Sequence, residues 1–297
     1  MRKVILLIII VISVLFSSCF ISAMFINASG ANKAKQRKFE EALKDFNRAI
    51  EHDPKCALAY NNRGLTKCYL GMHEEAIIDF DRAIELKPQL TVPYNNRGRT
   101  YFYLGKYEKA IQDYNTVIKL EPDSAEGYSN RGITEYELKF FEEAIEDLNK
   151  SSGLKRGSAI ECFNNGCVSL ISNKYKKAID SFSEAIRLEP SSYQISIIYF
   201  YLGFAKSRIG KFEEAIEYFN LAVIDAPFYF NAFYYRGLAK AELYNFTGAI
   251  EDYNKAISLE PHFADVFYSR SLAKEKMGDI NGAEEDMGKY FILIGNE

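Results

Sequence analysis

The chain has 297 residues, 48% of them hydrophobic, and a formal charge of -3. It is too apolar to remain disordered, and it lacks the charge excess that would point to a nucleic-acid partner. Its five cysteines, at 19, 56, 68, 162 and 167, are odd in number and show no paired spacing, and its three histidines are scattered, so neither a disulfide framework nor a metal or other cofactor is expected.

The first predicted element, residues 1–28, is a membrane-directed segment. Val4 to Ile26 is uncharged and mostly apolar, with Arg2 and Lys3 in front of it. Three fates fit. Its 23 residues suffice as an uncut transmembrane helix, at ~1.5 Å rise per residue across a core of ~30 Å. Alternatively the apolar run ends at Phe16 and Ser17-Ser18-Cys19 resembles a bacterial lipoprotein signal, with Cys19 as the lipid attachment. The third fate is cleavage near Ser29-Gly30-Ala31, giving a soluble secreted chain. The array behind the segment is expected on the extracytoplasmic side, periplasmic or at the cell surface. Lys33, Lys35, Arg37 and Lys38 argue the other way for an uncut anchor, unless they belong to a solvated helix face.

From residue 29 to 297 the chain is periodic. Ala42, Ala76, Ala110, Ala144 and Ala178 are each 34 apart, Ala215 follows after 37, and Ala249 and Ala283 resume the step of 34. A fixed period of that size means a solenoid. In the copy from Thr91 to Ser124, two apolar runs of helical spacing flank a break at Gly105 and Lys106, and Pro122 ends the second: helix A, turn, helix B. With Thr91 as position 1, Tyr94 falls at 4, Gly98 at 8, Tyr101 at 11, Tyr107 at 17, Ala110 at 20, Tyr114 at 24, Val117 at 27 and Pro122 at 32.

This pattern resembles the tetratricopeptide repeat, and the match covers essentially the whole chain after residue 30. The resemblance implies an all-α, right-handed superhelical solenoid of about eight repeats. The tryptophan usual at position 4 is replaced by Tyr60, Tyr94, Tyr128, Tyr199, Phe233 and Phe267. The repeats end near 56, 90, 124, 158, 192, 229, 263 and 297. Repeat 1 is expected to keep only a short helix A, Ala31 to Arg37, before helix B from Phe39 to Ile50. Between 150 and 200 the pattern is irregular: Ser151 at position 27, Arg156 at 32, Asn173 for the turn glycine, and three extra residues, Tyr193 to Ile195. A bend or change of pitch is expected there. In repeat 8 Tyr290 replaces the small residue at 27, and Phe291 to Ile294 leaves an apolar end.

Position 7 is arginine in five repeats (Arg63, Arg97, Arg131, Arg236, Arg270), and position 23 is aspartate in the same five (Asp79, Asp113, Asp147, Asp252, Asp286). Repeats 5 and 6 lose both together, so the expected structural ion pair joins helices A and B within one repeat. Copying of repeats would also produce the co-occurrence.

The resemblance puts helix A on a concave, ligand-facing groove. Position 6 there reads Asn62, Asn96, Asn130 and Asn164, then Tyr201 and Tyr235. The asparagines would offer an amide per repeat to an extended peptide, similar to the ladder in O-linked N-acetylglucosamine transferase, and the aromatics would anchor a partner. The competing accounts are a merely soluble residue choice for the former and ring packing between A helices for the latter. The carboxylate clamp of co-chaperone repeats is absent, since Asn61, Asn95 and Ser129 stand where its lysine would. With no catalytic constellation and no room for a second domain, the expected function is a non-catalytic, membrane-associated scaffold that binds a protein or peptide. The alternative is a homo-oligomeric element that self-associates through its C-terminal end.

Overall fold

The computed structural model describes residues 21–188 and 192–295. Among these the chain is all helix, sixteen helices in pairs. Repeat 1 contributes α1 (residues 21–35) and α2 (Phe39–His52), repeat 2 α3 (Ala57–Tyr69) and α4 (His73–Leu86). Repeats 3 and 4 give α5 (Thr91–Tyr103), α6 (Tyr107–Leu120), α7 (Ala125–Glu137) and α8 (Phe141–Leu154). Repeats 5 and 6 give α9 (Ala159–Ile171), α10 (Tyr175–Arg187), α11 (Ser192–Arg208) and α12 (Phe212–Asp225). The last two give α13 (Phe230–Glu242), α14 (Phe246–Leu259), α15 (Ala264–Lys276) and α16 (Ile280–Ile294).

The chain divides into two compact blocks, the first reaching Thr100 and including Lys119–Glu121, the second holding Tyr101–Ile118 and Pro122–Glu297. Each is held by the same local chemistry. Helices of 13 or 14 residues are marginal alone in water, so each buries a face on its neighbours. The alanine at position 20 is fully buried in all the repeats from Ala42 to Ala249, which lets helices A and B approach closely. Glycine at position 8 completes the approach: a Cβ on Gly166 would lie 2.4 Å from the Phe182 ring, and one on Gly237 2.6 Å from the Tyr253 ring.

Every A helix ends on a left-handed residue at position 15. It is Gly71, Gly105, Gly210 and Gly278 in four repeats, but Arg37, Lys139, Asn173 and Tyr244 in the others, with φ between 55° and 83°. The amide after it bonds back to the helix, as Met72 N does to Lys67 O at 2.9 Å, closing the helix end.

One expectation is revised. Repeat 1 does not have a shortened helix A: α1 runs from residue 21, through the boundary expected at 28. Ala23 is fully buried, and a Cβ on Gly30 would meet the Phe46 ring at 2.7 Å, as Gly64 meets Phe80 at 2.8 Å in repeat 2. The apolar residues Ile21, Met24 and Phe25 lie on the exposed face of α1. No helix among the described residues is long and apolar enough to cross a membrane; the apolar stretch before residue 21 and Cys19 lie outside them. The three extra residues, Tyr193 to Ile195, lengthen α11 to 17 residues.

Candidate functional site

The arginine at position 7 is the hub of one set of contacts. Arg131 Nε and Nη2 donate to Asp147 at 2.6 and 2.8 Å, and Nη1 donates at 2.6 Å to Asn115, at position 25 of the preceding repeat. Arg63 does the same with Asp79 (2.9 and 2.5 Å) and Asn47 (2.8 Å). Arg236 takes Asp252 and Asn220, and Arg270 takes Asp286 and Asn254, at 2.5 to 2.9 Å. Arg97 donates to Asp81, again at position 25 of the repeat before, at 2.5 Å; Asp113 is buried in the second block. Each of these guanidiniums also lies 5.3 to 5.7 Å from the ring at position 4 of its own helix, a cation–π contact. One side chain thus joins helix A to helix B and one repeat to the next.

A lysine at position 11 completes the set. Lys33, Lys67, Lys240 and Lys274 approach Asp45, Asp79, Asp252 and Asp286 at 2.7 to 3.0 Å. Burial opposes the charge on Asp286, yet Arg270 and Lys274 together hold it below the usual carboxylate range. Repeat 3 has Tyr101 in the lysine's place, and repeat 4 has Glu135. Burial first, then the Asp147 charge, push Glu135 up to about 7, against Arg131.

The A-helix face carries a second set of contacts. Position 5 of one helix meets position 6 of the next, at a spacing of 35 residues: Asn62 Nδ2 donates to Asn27 at 3.1 Å, Asn96 Nδ2 to Asn61 at 2.9 Å, and Ser129 Oγ to Asn164 at 2.7 Å. Tyr234 and Ser269 repeat the relation at 3.4 Å. Further along, rings replace amides in the same register, Phe163 on Tyr201 at 6.2 Å and Phe200 on Tyr235 at 5.7 Å. Of the amides expected to face a ligand, Asn62, Asn96 and Asn164 are engaged in joints between helices. Asn164 and Tyr201 are buried, Asn62 and Asn96 are engaged by their neighbours, and Tyr235 is packed on Phe200, Phe204 and Tyr234. Asn130 is partly exposed, and its carbonyl accepts the Thr134 hydroxyl at 2.7 Å.

In the second block the interior is also crossed by longer contacts. Tyr103 packs on Phe228 and Tyr229 at 5.3 and 5.2 Å and its hydroxyl lies 3.3 Å from that of Ser196. Asn231 Nδ2 donates to Tyr107 Oη at 3.2 Å, and Tyr201 Oη donates to Glu137 at 2.6 Å. The first block has a different surface at position 2, where Leu58 and Val92 are 45% and 46% exposed. The equivalent Ile160 and Ile197 in the second block are each 8% exposed.

Models of the tetratricopeptide repeat match residues 57–90, 98–139 and 202–262. These three segments match the tetratricopeptide repeat. No curated protein sequence matches the chain. Among solved structures it is similar to a tetratricopeptide repeat protein from Parabacteroides merdae, with TM-score 0.55 and 20% identity over 85% of this chain and 98% of that one. It is also similar to a chain of the APC/C hetero-tetramer Cut9–Hcn1, with TM-score 0.56 and 18% identity over 84% of this chain and 48% of that one. These likenesses concern the fold.

Three parts of the repeat array were not expected from the sequence. The position-25 partners had a signal, since Asn47, Asp81, Asn115, Asn220 and Asn254 each precede a repeat with arginine at position 7. The ring under each arginine was visible three residues upstream of it. The residues at position 5 that tie down the amides, Asn27, Asn61 and Ser129, carried no distinct signal.

Proposed function

We propose that the chain is a non-catalytic scaffold that captures a protein segment or extended peptide on its A helices, and that the open part of this face lies in the first block. The supporting observation is the exposed apolar pair Leu58 and Val92, in successive A helices at the ligand-facing position 2, whose counterparts Ile160 and Ile197 are covered. Apolar side chains repeated at one level of adjacent helices suit alternate side chains of an extended partner. The test is selection of displayed peptides against the full chain, followed by fluorescence anisotropy with Leu58→Asp/Val92→Asp. A tenfold or greater loss of affinity supports the reading. Peptides that bind the double variant as tightly, or failure to select any, would end it.

The membrane tether is part of the same proposal, with the repeats extracytoplasmic. Its support is the apolar run that precedes α1 together with the role of α1 itself. Cleavage near Ser29-Gly30-Ala31 would remove Ala23, the Asn27 joint and most of helix A of repeat 1. An uncut anchor, or cleavage before Cys19, leaves that repeat whole. Mass spectrometry of the mature N-terminus distinguishes these fates, and a mature chain starting near Ala31 would refute the tether.

A second reading rests on α16, whose Phe291 and Ile292 are each 60% exposed: self-association through this end. A mass that grows with concentration in light scattering would support it. A strict monomer that binds peptide would exclude it.

A further inference from the structure

The exposed face of α1 changes character along its length. Ile21, Met24, Phe25, Ala28, Asn32 and Lys35 follow one another at helical spacing and are all exposed, so they form a single outward stripe. Its first two turns are apolar, with Ile21, Met24 and Phe25 exposed by 52%, 54% and 73%. Its last turn carries Asn32 and Lys35, and Lys38 is exposed just beyond the helix. The opposite face pins α1 to the array. Ala23 is fully buried, Gly30 packs closely on the Phe46 ring, Asn27 accepts the amide of Asn62, and Ser29 and Lys33 both donate to Asp45 at 2.7 Å.

An apolar patch confined to one end of a helix limits what can cover it. A protein partner lying along α1 would need apolar side chains over the whole length, and the second half of the stripe does not offer them. A bilayer met from the helix start would take up the apolar half and leave the basic half among headgroups and water. The sequence brings a bilayer to that end. The uncharged run from Val4 to Phe20 leads straight into Ile21, and Cys19, the acylated residue of the lipoprotein-type fate, is two residues before it. In either fate no linker separates the lipid from the first repeat. From Ile21 to Ala28 the helix rises about 10 Å, comparable to the ~5–10 Å to which amphipathic helices sink into the headgroup and acyl boundary. Lys35 and Lys38 then stand beyond the apolar half, where their charge complements anionic headgroups.

We propose that the apolar start of α1, Ile21 with Met24 and Phe25, is immersed in the lipid surface, so that the first repeat is seated on the bilayer instead of hanging from it by a linker. This rests on the membrane tether of the preceding subsection and specifies how the array meets the lipid. Attachment and repeat share one helix, since α1 is at once the membrane-facing element and helix A of repeat 1. Met24 stands at position 2, in line with Leu58 and Val92 on the next two A helices. A partner held on Leu58 and Val92 is thereby held beside the bilayer.

The chain has no tryptophan, so one introduced on the stripe reports alone. Ile21→Trp, Phe25→Trp and Lys35→Trp are made separately in the full chain, purified from membranes and reconstituted into vesicles of phosphatidylcholine and phosphatidylglycerol, with or without bromine on the acyl chains near the headgroup. Flotation reports the tether, and quenching reports the immersion. Each variant should float with the vesicles. Brominated lipid should remove about half or more of the emission of Ile21→Trp and Phe25→Trp and less than about a fifth of that of Lys35→Trp, and iodide on both sides of the membrane should rank them in reverse. Flotation with Phe25→Trp open to iodide and untouched by bromine would overturn the immersion and leave the tether standing. Phe25→Trp closed to both quenchers would also overturn it and would assign the patch to a second copy or another protein. Equal quenching of all three variants would mean that α1 lies flat along its whole length, which contradicts entry from one end. Failure to float would end the tether and this proposal together.

Discussion

Arg131 closes on both carboxylate oxygens of Asp147, at 2.6 and 2.8 Å, in the one repeat where the supporting lysine is replaced by Glu135. Removing this arginine strands two carboxylates in a largely buried position. Arg131→Met should therefore cost about 2 to 3 kcal/mol, somewhat less than a fully buried pair because the arginine is 23% exposed. The double variant Arg131→Met/Asp147→Leu should recover part of that loss. Urea titrations of the two variants decide it, and a double variant less stable than the single one would contradict the account.

Glu135 gives a pH dependence whose sign follows from its direction of shift. Its carboxyl is raised from 4.5 to about 7 in the folded chain, so the folded state holds the proton more tightly than the unfolded one. Its contribution to stability is fully present below pH 4.5 and is lost as pH rises through about 7. Glu135→Lys restores the arginine, aspartate and lysine set of repeats 2, 7 and 8. It should stabilise the chain at pH 8 by about 1 to 2 kcal/mol and flatten the melting temperature between pH 5 and 8, apart from the parallel contribution of Glu137, whose carboxyl burial likewise raises to about 7. A variant that melts lower than the parent at pH 8 would refute this.

Tyr244 occupies the left-handed position 15 at φ 61° and is 82% exposed. A side chain there incurs backbone strain that glycine avoids, and its exposure leaves little packing to offset it. Tyr244→Gly should raise stability by about 1 kcal/mol. A lower melting temperature would mean that the edge contact of Tyr244 with Phe246, at 6.2 Å, contributes more than the strain removes.

Gly166 tests the opposite case. Alanine is the better helix former by about 1 kcal/mol, yet its Cβ would lie 2.4 to 2.8 Å from three atoms of the buried Phe182 ring. Overpacking should win, with a net loss of about 1 to 2 kcal/mol for Gly166→Ala. Gly153, with nothing within 4 Å of an added Cβ, should instead gain from the same change.

The period of 34 made the fold legible, because alanine at 20 and proline at 32 must recur wherever the same two helices pack and end. The arginine and aspartate positions were legible because they vanish together in repeats 5 and 6. The turns were legible only in part, since Arg37, Lys139 and Tyr244 adopt the left-handed conformation without the glycine that would announce it. What the A-helix face does was not legible. Whether Asn96 offers its amide to solvent or to Asn61 depends on how far adjacent helices approach, which the spacing within one repeat does not contain. The contacts of Tyr103 with Ser196 and of Tyr107 with Asn231 span 93 and 124 residues, distances unrelated to the period.

Joints between adjoining repeats and bonds that skip a repeat differ in what they permit over evolutionary time. A joint made only with the adjoining repeat survives the gain or loss of a whole repeat, because the newcomer presents the same groups in the same places. The early repeats are of this kind, so their number is free to vary between relatives. From repeat 3 onward, bonds such as that of Tyr201 to Glu137 skip a neighbour, and excising one repeat would leave both ends without their match. Homologous chains should accordingly differ in length before residue 100 and keep a fixed count after it.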